Sequence, residues 1–433
     1  MKSNVNNIKS FQDIGWLKLD NAANLFPAIS SNDLTSVFRI TASLKTPVRY
    51  SVLREAVEIT SKRFSYFSVS LGSGLFWHFL EYNNQMPRIQ IEEKVPCTAF
   101  AFKRKNEPLY RILAKGSRIS VEFIHILTDG GGALEYLKSL LYTYLTLTGI
   151  RINSPGDIIL PDTPVSEEEL QDSYNKFFRK MPPPAKLVRA WHLPFKLDER
   201  PRLKVIRAEI NVDQIRETAK KYNVSITEYL ISVYLFSLQK IYISVKSKKQ
   251  KYRVLRIEVP INLRNKFKSR TMRNFSLFML PEIDMRLGTY TFEEIVLSVH
   301  HQLMLSSDTK QISRFLSSNV SYEKLLFVRI LPLFIKKLAI TAIFRNLASK
   351  RWTGLITNLG LITLPQEMEE MIEYFELIPP PPNLKLKVGS AIISFKNKLR
   401  ITFCNITLSN ELERLILKHL SDSGIHVKIL NNK

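Results

Sequence analysis

The chain has 433 residues, 45% of them hydrophobic and 24% charged, with 63 Lys+Arg against 39 Asp+Glu and a formal net charge of +24. A single hydrophobic core stops growing beyond roughly 250–300 residues, so two lobes are expected. This composition excludes a disordered chain, and two cysteines, Cys97 and Cys404, are too few for a disulfide scaffold.

The cysteines read as buried thiols in a reducing compartment. Met1–Asn7 has no apolar stretch behind it, so no secretory signal and a cytoplasmic location are expected. The basic residues are scattered along the chain. No helix-turn-helix, zinc finger or aromatic-basic RNA-binding strand accompanies them, so no nucleic-acid partner is expected.

In chain order, Phe38–Leu44 reads as a strand and Tyr50–Phe64 carries helical spacing of apolar residues. Phe67–Leu71 and Leu75–Tyr82 flank Gly72-Ser73-Gly74 as a hairpin. Thr98–Phe102, Tyr110–Ala114 and Ser120–Ile124 are short strands, and Gly131–Gly149 a helix. Ser166–Lys180 starts acidic and ends basic, the pattern of a surface helix aligned with its own dipole. Met181–Arg202 holds Pro182, Pro183, Pro184, Pro194 and Pro201, which block helix and ladder pairing and mark a linker. The division predicted is therefore an N-terminal lobe over 1–180, a linker over 181–202 and a C-terminal lobe over 203–433.

After the linker the pattern restarts with a strand at Lys204–Ile210 and a helix at Val212–Tyr222. Ser225-Ile226-Thr227-Glu228 and Thr291-Phe292-Glu293-Glu294 are capping boxes, opening helices to Tyr242 and about Ser306. Val254–Val259, Phe275–Leu280 and Leu355–Asn358 are strands, Lys387–Phe395 and Arg400–Ile406 a hairpin, and Glu411–Leu420 a last helix. Lys246–Arg253 reads as a basic solvated loop. Leu325–Leu347 is apolar but interrupted by Arg329, Pro332, Lys336, Lys337 and Arg345, so it is not a bilayer span. It reads as a buried or interfacial amphipathic helix, with Leu326, Ile330, Leu333 and Leu338 packed inside the second lobe or rimming a channel, and Lys336, Lys337 and Arg345 reaching water or an anionic surface.

The sharpest local signal is Phe123-Ile124-His125-Ile126-Leu127-Thr128-Asp129-Gly130-Gly131-Gly132. A strand alternating Ile119, Val121, Phe123 ends at a histidine, and three glycines open a helix. Glycine lets the backbone take positive φ and lets a ligand approach. Alternation places His125 at the end of a row of large apolar residues, where burial disfavours the imidazolium and keeps a base neutral. The alternative is a histidine that only packs at a strand end while Asp129 caps the helix. His300-His301 point about 100° apart on a helix and cannot line one site together.

His-x-x-x-Asp-Gly between strand and helix resembles the active-site motif of the CoA-dependent acyltransferase superfamily, which includes chloramphenicol acetyltransferase, condensation domains and alcohol acetyltransferases. Trp16–Pro27 is similar to the opening of bacterial alcohol-acetyltransferase-like proteins. Val259–Arg264, Arg273-Asn274-Phe275-Ser276 and Thr357-Asn358-Leu359-Gly360 resemble segments of the second lobe. The resemblance implies an α/β (α+β) fold of two chloramphenicol-acetyltransferase-like lobes, each a mixed sheet with helices, around an interlobe tunnel. It implies acyl transfer from acyl-CoA (acetyl-CoA) to a small-molecule alcohol or amine, with His125 as general base and no metal. Asp129 is then structural and held by Arg264, and Gly130 allows the turn. Ser276, Thr357 and Asn358 are candidates for the oxyanion donor or the tunnel wall. Ile124 stands where condensation domains carry a first histidine, which turns the reading away from condensation. A monomer is expected. The rival reading is a catalytically silent protein of the same fold that binds a partner, peripheral to a membrane through Leu325–Leu347.

Overall fold

The computed structural model describes residues 15–93, 95–245, 251–346 and 350–430. Met1–Asn7, most of the Lys246–Arg253 run, Leu347 and the Arg345 side chain lie outside them.

Two sheets carry the architecture. The first has the order Ile372–Ile378, Val37–Leu44, Arg118–Ile124, Tyr110–Lys115, Ile89–Ile91. All neighbours are antiparallel except Ile89–Ile91 on Tyr110–Lys115. The Tyr50–Arg63 and Gly130–Leu147 helices pack together over it, burying Leu53, Val57, Leu137, Leu140 and Leu141. The second sheet has the order Ser276–Met279, Val254–Asn262, Gly354–Ile362, Val388–Phe395, Lys398–Asn405, Lys204–Asn211, Val427–Leu430, with Glu282–Asp284 also on Val254–Asn262. Its helices are Ile226–Ser244, Phe292–Ser306 and Glu411–Asp422. Both capping boxes form: the Ser225 and Thr291 hydroxyls accept from the backbone N–H of Glu228 and Glu294, and each glutamate accepts in return. Each lobe has its own apolar core.

One strand crosses the expected division. Ile372–Ile378, far down the C-terminal half, pairs with Val37–Leu44 and completes the first sheet. Thr98–Phe102 forms no strand; Arg111 ties Thr98 through its backbone and hydroxyl oxygens, and the edge place is taken by Ile89–Ile91. Ser166–Lys180 is not one surface helix but two short turns, Glu167–Leu170 and Ser173–Lys176. The break follows from Glu169, whose carboxylate is buried and receives two hydrogen bonds from Arg63 and one from Tyr66. Asp172 then caps the second turn.

The largest departure lies in Leu325–Leu347. Pro332 separates two helices, Leu326–Ile330 and Leu333–Asn346. Of the face expected inside, Leu326, Ile330 and Leu338 are 74%, 62% and 69% exposed and Leu333 is half-buried, and Phe334 beside it is 66% exposed. The inward group is Lys336, 7% exposed. Its Nζ donates to the carbonyls of Phe76 (2.9 Å) and Arg329 (3.2 Å) and lies 3.5 Å from the centre of the Trp77 ring. Burial lowers its pKa. Carbonyl acceptors and an aromatic face replace water around the ammonium, so this lysine does not reach for solvent.

Candidate active site

His125 follows directly on the Arg118–Ile124 strand, and its N–H continues the ladder by donating to the Ser36 carbonyl (3.0 Å). The row Phe123, Phe38, His125, Phe26 is aromatic throughout. The imidazole lies between Phe38 (centroids 4.6 Å) and Phe26 (5.2 Å, 18° between planes) and is half-buried. Burial lowers its pKa below the ordinary 6.5, against the opposing pull of the Asp129 carboxylate. The ring is thus neutral at pH 7 and can accept a proton.

The second lobe holds the loop that follows. Arg264 grips Asp129 with both ends of its fork, Nη2 to Oδ1 at 2.9 Å and Nη1 to Oδ2 at 3.0 Å. The same carboxylate accepts from the N–H groups of Gly131 (3.0 Å), Gly132 (3.2 Å) and Phe275 (2.8 Å). Burial pushes the Asp129 carboxyl up, but Arg264 and the N–H donors outweigh it and its pKa falls below 3.8. Arg264 is completed by the carbonyls of Thr271 (2.7 Å) and Arg273 (2.6 Å). The Asp129 carboxylate is thus taken up by partners in the second half of the chain and pins the two lobes together.

The three glycines have a different reason from the one expected. None of Gly130, Gly131 and Gly132 takes positive φ. A Cβ on Gly132 would lie 2.4 Å from the Met272 carbonyl oxygen and 2.2 Å from Thr128 Oγ1, and the Thr128 hydroxyl itself donates to that carbonyl at 2.6 Å. Gly130 meets the Leu359 side chain, and Gly131 meets the Arg264 fork. The glycines let the second lobe press onto the helix start.

Asn274, which in sequence is only one residue of the Arg273-Asn274-Phe275-Ser276 segment, joins three parts of the fold. Its amide donates to the His125 carbonyl (3.0 Å) and to Asp20 (3.2 Å). Asp20 also accepts from Ala23 N–H (2.8 Å), fixing the turn that leads to Phe26. Burial raises the Asp20 carboxyl to about 6, with Arg273 opposing.

The remaining candidates fall into two groups. Thr357 follows Ile356 of the second core along the Gly354–Ile362 strand and is half-buried, and Leu359 touches Gly130. Asn358 donates to Thr227 Oγ1 (2.9 Å) and accepts from Gly360 N–H (2.7 Å), bonds that fix its side chain. Ser276 opens an edge strand with its backbone tied to the Tyr174 hydroxyl at both N–H and carbonyl. His300 bonds the Glu228 carboxylate (2.9 Å), on a helix of the other core.

A residue the sequence reading passed over is Glu258. Leu255, Ile257 and Val259 enter the second core, so Glu258 lies on the opposite face, in register with Leu355. Burial alone raises its carboxyl to about 8. The signal available was an acidic residue inside an otherwise apolar strand. A surface cleft of about 210 Å³ lies beside Phe278 and Phe315 and another of about 440 Å³ between Leu75, Phe334 and Pro27; neither is lined by His125.

No family model matches the chain, and no curated protein matches it in sequence. Solved structures do match in fold. The starter condensation domain of rhizomide synthetase, as a mutant in complex with C8-CoA and Leu-SNAC, superposes with a TM-score of 0.60 at 8% identity, covering 96% of each chain. The fold is that of the two-lobed, chloramphenicol-acetyltransferase-like and condensation proteins. F. graminearum TRI101 complexed with coenzyme A and deoxynivalenol gives 0.59 at 9% identity, over 96% of this chain and 100% of that one. The wax ester synthase/diacylglycerol acyltransferase of Marinobacter aquaeolei VT8 gives 0.53 at 13%, over 94% and 100%.

Proposed function

We propose that the chain is an acyltransferase that uses acyl-CoA as donor and a small-molecule alcohol or amine as acceptor, with His125 as the general base. The observation that carries this reading is the neutral imidazole set between Phe26 and Phe38 at the end of its strand, with its loop pinned across the lobes by Asp129 and Arg264. Complexes of similar fold with coenzyme A and an acceptor support it. In the proposed reaction His125 takes the acceptor O–H or N–H proton as that atom attacks the thioester carbonyl. The tetrahedral adduct collapses, the C–S bond breaks, and the imidazolium returns the proton to the departing sulfur as the CoA thiol. Thr357 and Ser276 are the candidate hydroxyls for the developing oxyanion, with Asn358 a further candidate for that role or for the tunnel wall. General-base catalysis supplies roughly two to four orders of magnitude in rate, and the rest comes from holding donor and acceptor together away from water.

Residues 1–180 and 203–433 are taken as the two lobes, joined by 181–202, with the Ile372–Ile378 strand exchanged into the first. Cytoplasmic action suits the two free, buried cysteines. The test incubates the purified protein with acetyl-CoA and longer acyl-CoAs against a panel of alcohols and amines and follows thiol release. Acceptor-dependent release, lost in His125→Ala, is expected. No release with any acceptor leaves the silent scaffold as the reading.

A further inference from the structure

The Leu326–Ile330 and Leu333–Asn346 helices turn apolar side chains to solvent while a buried cation, Lys336, points inward. The tip of the first-lobe hairpin stands beside them. Leu75 and Phe76 are exposed, the Leu75 carbonyl accepts from Leu333 N–H (2.8 Å), and the Phe76 carbonyl holds Lys336. Two segments distant in sequence thus combine into one apolar surface, fastened by a buried lysine that would have no reason to be inside a solvent-facing helix. Contiguous apolar surface of this kind marks an interaction site.

The charge around it identifies the occupant. No Asp or Glu occurs between Glu323 and Glu367, nor between Glu93 and Glu107, nor in the hairpin between Val69 and Leu80. Exposed cations ring the apolar residues instead: Arg329 and Lys337 on the helices, and Lys103, Arg104 and Lys105 on the neighbouring loop. Lys103 and Lys337 line the same cleft as Phe334 and Leu75. Exposed leucine and phenylalanine rimmed by lysine and arginine, on helices too short and interrupted to span, match the interface of a bilayer with anionic headgroups. Among the described residues no helix is long and apolar enough to cross.

We propose that residues 325–344 and the Leu75–Phe76 tip form a docking surface for an anionic lipid bilayer. The surface also adjoins the candidate site. The Leu333–Asn346 helix packs on Phe26–Ile29, with Thr341 Oγ1 donating to the Ala28 carbonyl (2.9 Å). Pro27 floors the cleft that opens between the helix and the hairpin, and Phe26 stacks on His125. If the acyltransferase reading holds, on which this last step alone rests, a long-chain acceptor or acyl group leaves the bilayer next to the catalytic histidine.

The test measures binding of the full chain, without acyl-CoA, to sedimented phosphatidylcholine vesicles with and without 30 mol% phosphatidylglycerol. Because activity is not read, failure of the docking idea and failure of the acyltransferase reading stay separate. Wild-type protein is expected to sediment with the anionic vesicles and at least tenfold less with neutral ones. Leu326→Asp with Leu338→Asp is expected to reduce anionic binding at least tenfold with an unchanged melting temperature, since both side chains are already in solvent. Leu287→Asp, exposed on a distant turn, serves as control and is expected to bind as wild type. Absence of binding to anionic vesicles at low salt overturns the proposal, as does equal binding by the double variant. Self-association in sedimentation velocity that the double variant abolishes, without vesicle binding, assigns the surface to a second copy and also overturns it.

Discussion

The interlobe seam and the Leu325–Asn346 helices each bury a cation against main-chain carbonyls, and they use it in opposite ways. At the seam Arg264 finds a carboxylate, two carbonyls and three flanking glycines, and the apolar residues around it point inward. On the helices Lys336 finds two carbonyls and a tryptophan face but no carboxylate, and the apolar residues point outward. A charge-paired cation fixes a loop to within the tolerance that chemistry needs. A cation held by neutral acceptors fastens a helix while leaving its surroundings positive, which suits a surface that meets anions.

The sharpest way to break this comparison is to remove the paired cation. Arg264→Ala leaves Asp129 buried without its partner and is expected to cost ~3–5 kcal/mol in chemical denaturation, with acyl transfer lost in proportion to unfolding and acceptor preference unchanged. A well-folded Arg264→Ala protein of wild-type stability would remove the pin from the argument. His125→Ala tests what the pin serves. It is expected to lower kcat/KM by about 100-fold or more while the melting temperature stays near wild type. Because burial lowers the His125 pKa, the neutral base persists as pH falls, and the acid limb of kcat/KM is expected below pH 6.5. A limb above pH 6.5 contradicts the geometry.

On the other side of the comparison, Lys336→Met keeps the length of the side chain and leaves two carbonyls without their donor. The expected loss is about 2 kcal/mol, smaller than for Arg264 because no buried carboxylate is stranded. An equal loss in the two variants would erase the distinction. The smallest effect sharpens it from the chemistry of a carboxyl with no cation. The Glu258 carboxyl ionises at about 8 in the fold and near 4.5 when exposed, so between those values the unfolded chain gives up its proton first. Stability from this group is full below pH 4.5 and falls as pH rises towards 8. Glu258→Gln is expected to flatten the melting temperature between pH 5 and 9 and to raise it by a few degrees at pH 9.

Much of the fold was legible because it is local. The capping boxes at Ser225 and Thr291 satisfy backbone donors within four residues, so sequence and structure agree there. The Val388–Phe395 and Lys398–Asn405 hairpin was likewise visible in its alternation. Thr309–Lys324 was missed although Ile312, Leu316 and Val320 mark its buried stripe and Asp308 its cap; that signal was present and unread. Ile372–Ile378 was not readable, since its partner is Val37–Leu44 and alternation says nothing about which edge a strand joins. His125, Asp129 and Arg264 were legible through their motif and the resemblance it carried. The roles of Phe26, Phe38 and Asn274 arise only when three distant segments meet. For Leu326–Leu338 the patterning left a buried and an interfacial helix both open, because apolar spacing marks a face without saying what covers it.

The strand exchanged between lobes also sets a timetable for biogenesis. The open edge of Val37–Leu44 emerges from the ribosome about 330 residues before the segment that covers it, a delay on the order of tens of seconds. Through that interval the nascent first sheet presents unpaired N–H and C=O groups to any other strand nearby. Shielding of that edge is therefore a demand the fold makes during synthesis, and a chain cut short before Ile372 leaves the edge permanently open to pairing with other strands.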